Sequence, residues 1–311
     1  MNLRTNRERN YDHLRHPGEE EHGFTFTMLG QEIDVKANEP LQKNQLLDLQ
    51  REIVKLCETE DKSENVGTKD MIAAKAIKVF GEPALDAIYK EFAQINNQKS
   101  FGPLDPSTLT KEQKQKALRE ITLVKRKRCG RIKARMVADG RPQRKYIAKE
   151  DATSPTVSTE ALLVSLIIDA FEGRDVATAD VAGAYLHAKM DEFVIMKITN
   201  PHHIRIMCDI DPIYKEYITV ENGKEVLYVQ LLKALYGCIK SALLWYMLFT
   251  SVLKDMGFVL NPVDPCVANK DINGKQCTIC WYVDDNKVSH VEYDVVTEIL
   301  ESIEKKFGKM S

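Results

Sequence analysis

Between Cys277 and His290 the chain reads CTICWYVDDNKVSH, an apolar stretch that ends in two adjacent aspartates before an extended pattern resumes. Alternation sets Ile279, Trp281 and Val283 on one face and Cys280, Tyr282 and Asp284 on the other. That pattern predicts a β-hairpin with carboxylates at its tip. A lone VDD is ordinary turn chemistry, because Asp favours the bend of a hairpin. It becomes informative only if another carboxylate converges on the same place.

A second strand in the same half of the chain also ends in a carboxylate. In VATADVAGAYL, Val176, Thr178 and Asp180 share a face. If this strand neighbours the hairpin, Asp180 and Asp284 meet at one sheet edge. Taken alone, Asp180 reads as an exposed strand end. Three clustered carboxylates repel one another and push a pKa upward. A divalent cation removes that penalty, and Mg²⁺ prefers oxygen ligands completed by substrate phosphates. Two such ions about 3.5–4 Å apart stabilise the attacking and leaving oxygens of a phosphoryl transfer.

Charge points to the same substrates. The formal net charge of −2 hides fifteen Lys/Arg against three Asp/Glu between Lys111 and Lys149. A charge run is usually a solvated face. Here the cations interleave with strand-like residues in ITLVKRKRCGRIKARMVADGRPQRKY, which predicts a folded basic hairpin suited to phosphate. Seven cysteines without framework spacing suit a reducing compartment. Cys277 and Cys280 form a C-x-x-C without a second ligand pair, so they read as packing residues rather than zinc ligands. No apolar run approaches the ~18 residues of a membrane span, and the polar N-terminus lacks the apolar core of a signal peptide.

Up to about residue 69 the chain is polar and weakly patterned. GFTFTMLGQEIDVKA reads as a short hairpin, LQKNQLLDLQREIVKLCE as helical and TEDKSENVGTKD as a linker. A helical stretch breaks at Gly81 and Pro83, and Thr110 caps another helix. SPTVSTEALLVSLIIDAFEGRD reads as a buried helix started by Ser158 or Thr159 and ended at Gly173. KSALLWYMLFTSVLKDMGF is a long helix stopped at Gly257. A last amphipathic helix takes Asp294 as its N-cap and Gly308 as its stop. Helices and strands mix without a βαβ repeat, which predicts an α+β fold.

TADVAGAYLHAKM, LLKALYGCIKSALLWY and WYVDD, in this order and spacing, resemble the reverse transcriptase domain of Ty1/copia-type LTR retrotransposons. GRIKARMVADG resembles the family's fingers segment and SPTVSTEALLVSLIIDA its following helix. The resemblance covers roughly residues 72–311. It implies a right-hand polymerase fold, with residues 70–311 as fingers and palm and residues 1–69 as a poorly defined extension. Asp180, Asp284 and Asp285 match the family's catalytic, metal-binding aspartates, expected to hold two Mg²⁺ (or Mn²⁺) ions. Lys133, Arg135, Tyr185, Gly237 and Lys240 fall at dNTP-binding positions, with Tyr185 beneath the deoxyribose. Lys125, Arg126, Lys127, Arg128 and Tyr282 fall where template-primer passes. The implied activity is RNA-directed DNA polymerisation from dNTPs on an RNA or DNA template-primer. The implied setting is intracellular, in cytoplasmic element particles or the nucleus, and away from membranes.

One departure stands out. Lys240 replaces the usual Gln after LYG, and Leu243 replaces an Arg. That change keeps a second reading open: an inactive retroelement remnant that only binds nucleic acid. A third reading, a two-metal nuclease, leaves Tyr185 and the basic hairpin unexplained. The resemblance further implies that residue 311 falls before the family's primer grip, thumb and RNase H, as in a fragment of a polyprotein.

Overall fold

The computed structural model describes residues 23–28, 31–36, 70–127 and 129–310, the first two segments as backbone only. The predicted helix at 41–58 and linker at 59–70 lie almost wholly outside these residues, as does Arg128. Strands β1 (Gly23–Met28) and β2 (Gln31–Lys36) pair antiparallel, as their alternation predicts. The chain divides into two units that interleave along the sequence. One comprises Met1–Ser63, Pro155–Ala182 and Phe249–Ser311, and the other Glu64–Ser154 and Gly183–Leu248. Both mix helix and sheet, so the fold is α+β.

The second unit is built on a seven-stranded sheet. Its strands are β3 (Met71–Ile72), β4 (Phe101–Pro103), β5 (Leu118–Arg126), β6 (Ile132–Ala138), β8 (Lys189–Ile198), β9 (Ile218–Glu221) and β10 (Lys224–Lys233). The path runs β3-β5-β8-β10-β4, with β6 on β5 and β9 on β10. Helices α1 (Ala73–Phe80) and α2 (Glu82–Asn97) are parted at Gly81, whose φ of 63° a side chain resists. Phe92, Ile88 and Ile95 of α2 pack with Met136, Met196 and Leu227 in one buried core. Helix α3 (Lys111–Lys116) carries a full capping box, Thr110 with Gln113. The core is completed by α5 (Pro201–Ile210).

The first unit places five antiparallel strands in the order β11-β12-β13-β14-β7. These are β7 (Asp175–Asp180), β11 (Val259–Leu260), β12 (Val267–Ile272), β13 (Lys275–Tyr282) and β14 (Asp285–His290). Helix α4 (Thr159–Glu172) starts on Ser158, whose hydroxyl accepts from Ala161 N, and stops at Gly173 in the left-handed region. Helix α4 packs against β13. Helix α7 (Tyr293–Phe307) packs against β14 and β7. Phe249, in the second half of α6 (Ser241–Asp255), meets Trp281 edge-on at 5.4 Å and Phe307 at 5.9 Å. The sheet is therefore covered on both faces, which explains why Cys277 through Trp281 are all buried rather than alternating.

Three local expectations fail. The helix expected to be buried, α4, buries only Ser165 and Asp169, while Val164, Leu166, Ile167 and Phe171 are exposed, because it packs on the sheet along one stripe alone. Glu292, not Asp294, occupies the N-cap of α7 and makes no side-chain cap bond. Asp294 sits in the first turn, where a carboxylate favours the helix dipole. Val283 does not continue the face of Ile279 and Trp281. It lies in the two-residue turn after Tyr282 with φ 59°, so the strand alternation ends at Tyr282.

Candidate active site at the aspartate hairpin

The tip of the five-stranded sheet collects the carboxylates. β13 and β14 pair with Tyr282 opposite Asp285, and β14 pairs with β7 so that Asp285 lies opposite Asp180. Direct cross-strand partners share a face, so Asp180, Asp285 and Tyr282 stand side by side. Asp284 occupies the turn, and its carbonyl accepts Val181 N at 3.0 Å. Asp180 and Asp284 thus meet at the predicted edge, but the direct cross-strand partner of Asp180 is Asp285, because the turn consumes Val283 and Asp284.

The turn is strained and braced. A primed two-residue turn needs positive φ at its first central residue, a place suited to Gly. Val283 fills it at φ 59°, and β-branched residues resist that region. Asn286, buried behind the turn, donates its side-chain amide to Asp284 O at 2.8 Å and to Ala179 O at 3.3 Å. This clamp ties the turn to β7. Asn286 carries no sequence signal, since an Asn after two Asp reads simply as more turn.

Beside the carboxylates lies a cleft of about 360 Å³. It is lined by Val157, Leu162, Thr178, Asp180, Tyr282 and Asp285. Tyr282 is more than half exposed there. Partial burial, and next the neighbouring charge of Asp284, raise the Asp285 pKa above the ordinary carboxylate value. A carboxylate with that environment favours either a proton or a cation.

Among the described residues, no three His, Cys, Asp or Glu are gathered as a ready metal cage. The donors at the hairpin tip still suit Mg²⁺ in kind. They are hard oxygens, two face each other across a strand pair, and the third is adjacent in the turn. Mg²⁺ commonly takes only one or two carboxylates, with waters and substrate phosphates filling its octahedron. Asp180, Asp284 and Asp285 would hold it.

The remaining candidate residues belong to the other unit. Lys125 and Lys133 are direct partners on the β5–β6 pair, and Arg135 stands two residues on from Lys133. Like charges placed opposite are unfavourable without a counter-charge. Glu91 supplies part of one, acting electrostatically on Lys133 and Arg135, and burial is the larger influence that raises its own pKa. Arg126 and Lys127 are exposed at the end of β5. Tyr185, in the 3-10 turn Ala184–His187, lies 4.7 Å from the Tyr236 ring, and the Arg135 guanidinium sits 5.6 Å from the opposite partner ring of that pair, Tyr236. Arg135 and Tyr185 are therefore joined through Tyr236, which the sequence did not single out. The Lys240 ammonium is ion-paired with Asp191 and, at 3.5 Å, with Glu192, and the Asp191 hydrogen bond is the main influence raising its pKa.

Gly237 has a structural reason to be glycine. Its φ is 90°, and a Cβ there would sit 2.1 Å from Ala138 O. A Cβ on Gly140 would in turn sit 2.1 Å from Gly237 O. The two backbones touch, Ala138 N donates to Tyr236 O at 2.8 Å, and buried Gln143 accepts Ile239 N at 3.0 Å. The end of the basic strand β6 is thereby fixed to the loop that carries Lys240. Gly140 and Gln143 are functional candidates that sequence reading missed. A Gly in ADGRPQ signals only a turn.

A sheet tip with paired carboxylates and a basic hairpin are the two candidate features of this α+β chain. The profile described as Reverse transcriptase (RNA-dependent DNA polymerase) matches residues 108–311. The chain belongs to that family, as a copia-type member. It is 27% identical over 178 residues to the Retrovirus-related Pol polyprotein from transposon TNT 1-94 of Nicotiana tabacum, covering 57% of this chain and 12% of that protein. It is 24% identical over 227 residues to the Transposon Ty1-LR2 Gag-Pol polyprotein of Saccharomyces cerevisiae, covering 73% of this chain and 12% of that one. The match to the Ty1-ML2 polyprotein has the same extent. The chain thus spans about an eighth of the relatives it matches. No helix among the described residues is long and apolar enough to cross a membrane.

Proposed function

We propose that this chain supplies the nucleotidyl-transfer core of a copia-type reverse transcriptase, with residues 70–311 forming fingers and palm and residues 1–69 an extension. The observation that carries the reading is the register that sets Asp180 opposite Asp285, with Asp284 in the adjoining turn. Bound Mg²⁺ would neutralise the triphosphate and stabilise the charge that develops as the primer 3′-hydroxyl gives up its proton to solvent, bonds to the α-phosphorus and displaces pyrophosphate. Asp180 and Asp285 hold the site's negative charge in place, and the Asn286 clamp keeps the turn from relaxing. Such preorganisation costs no reorientation as charge develops.

The other residues take binding roles. Lys133 and Arg135 offer cations to the triphosphate, and Tyr185, braced by Tyr236, packs beneath the sugar. Lys125, Arg126, Lys127 and Tyr282 contact the template-primer. Gly237 acts through its backbone contact with Gly140. Lys240 acts through the two carboxylates that hold it, which bears on the inactive-remnant reading: its charge is already satisfied, so the departure at this position leaves the loop ordered.

The discriminating experiment supplies the chain with Mg²⁺, labelled dNTPs and a primer on an RNA template. The polymerase reading expects template-dictated addition of single nucleotides. Strand cleavage in place of addition would favour a nuclease. Tight template-primer binding with no addition at any metal concentration would favour the inactive remnant.

A further inference from the structure

A buried ion pair borders the candidate site, its Lys287 among the residues that line the cleft, and has no role assigned above. Lys287 is two residues from Asp285 on β14, opposite Cys280 on one side and Thr178 on the other. It therefore stands on the sheet face of Asp180 and Asp285. Its side chain is 6% exposed, and its ammonium is paired with the equally buried Asp169 of α4, with Ser289 Oγ a further 3.3 Å contact. Asp169 Oδ1 has no hydrogen-bond partner and lies 3.9 Å from Arg174 Nη1. Arg174 donates to Thr278 Oγ1 at 3.0 Å, again on this face. One turn earlier in α4, Ser165 Oγ accepts from Cys280 Sγ at 3.4 Å, and one turn before that Leu162 lines the cleft.

Leu162, Ser165 and Asp169 thus form one stripe laid along the sheet from the cleft inward. At the other end of the helix, Ser158 N and Oγ both donate to Asp264 at 2.8 Å. Apolar packing alone would hold this helix as well, since swapping a buried ion pair for apolar side chains is often neutral or stabilising. An ion pair adds a fixed meeting point. An ammonium must reach its carboxylate, whereas apolar surfaces can slide.

We propose that Asp169–Lys287 is a positioning pair that fixes where α4 lies over the catalytic sheet face, and so holds the cleft at Asp180 and Asp285 in its working shape. The proposal rests on the nucleotidyl-transfer reading of that cleft. Neither residue touches the reacting atoms.

The test compares the parent with Lys287→Met/Asp169→Leu, which removes both charges without leaving one unpaired. Alkylation of Cys280, under α4, and of Cys277, on the opposite sheet face, is followed by peptide mass mapping. Tb³⁺, a hard oxygen-seeking ion, is titrated in parallel, with emission sensitised by Tyr282 and Asp180→Asn as control. The account expects Cys280 to react roughly ten-fold faster in the double variant while Cys277 is unchanged, as in a local opening. It expects Tb³⁺ affinity to fall by about ten-fold, a size usual for outer-shell changes at metal sites. An unchanged Cys280 rate, or equal acceleration of both cysteines, overturns the positioning role. Parent Tb³⁺ binding that ignores Asp180→Asn instead refutes the metal-site reading, and the cysteine rates still decide where the helix is held. Lys287→Met alone leaves buried Asp169 with only the longer 3.9 Å contact to Arg174, and a lower melting temperature than the double variant is expected; the reverse order also contradicts the proposal.

Discussion

At the scale of single residues, the hairpin tip trades stability for chemistry. Asp285 has a raised pKa, so the folded state holds its proton more tightly than the unfolded chain does. As pH rises from the unfolded value through the folded one, this group's contribution to stability falls. Asp285→Asn should therefore melt higher than the parent at pH 7 without divalent ions, with the gap closing at acid pH where both are neutral. Thermal unfolding from pH 3 to pH 8 checks this, and a lower-melting variant at pH 7 would mean Asp285 is stabilised as an anion. Tyr185 packs against Tyr236 at a tilt of 50° with ring centroids 4.7 Å apart, and the proposed function sets its ring beneath the sugar. Tyr185→Val should raise rNTP relative to dNTP incorporation by at least about ten-fold, the discrimination a close steric pocket supplies. Unaltered selectivity in an active variant would remove Tyr185 from the sugar site. In the sequence, two adjacent aspartates at a strand end marked the hairpin tip, while only the resemblance to the family marked Tyr185 as a candidate. The Val283 strain and the Asn286 clamp were not legible, because both arise from the turn's backbone and not from any side-chain pattern.

Secondary elements explain a different set of successes and failures. Thr110, Ser158 and Gly173 were readable as helix boundaries because capping is local, settled within a turn of the chain. Asp294 failed because an Asp suits the first turn as well as the cap. The contact of Gly140 with Gly237 joins residues 97 positions apart in sequence, beyond any local pattern. It predicts that Gly140→Ala, whose backbone is otherwise ordinary, destabilises by about 1–3 kcal/mol through overpacking. Gly237→Ala should cost more, because it adds a strained φ to the clash. Urea unfolding measures both, and wild-type stability for either would mean the backbones part easily. The basic hairpin makes its own prediction. Replacing Lys125, Arg126 and Lys127 by Gln should weaken template-primer binding across sequences. The slope of log K against log salt should flatten by ~0.9 per lost duplex phosphate contact. An unmoved slope would make these cations solvated surface.

At the scale of the whole chain, the α+β class followed from mixed periodicities, and the family from motifs in a fixed order. Which strands share a sheet did not follow. β7 and β8 are joined by a short turn yet enter different sheets, and β7 instead closes against β14, more than 100 residues later. That long-range pairing is what brings Asp180 beside the adjacent Asp284 and Asp285. The most direct measurement is single-nucleotide addition to a primer on an RNA template, titrated with Mg²⁺, for the parent, Asp180→Asn and Asp285→Asn. The account predicts Mg²⁺-dependent addition by the parent and a loss of at least about a thousand-fold in each variant, as removal of metal-holding charge demands, with the far-ultraviolet circular dichroism unchanged. Addition by folded Asp180→Asn within a few-fold of the parent would contradict it.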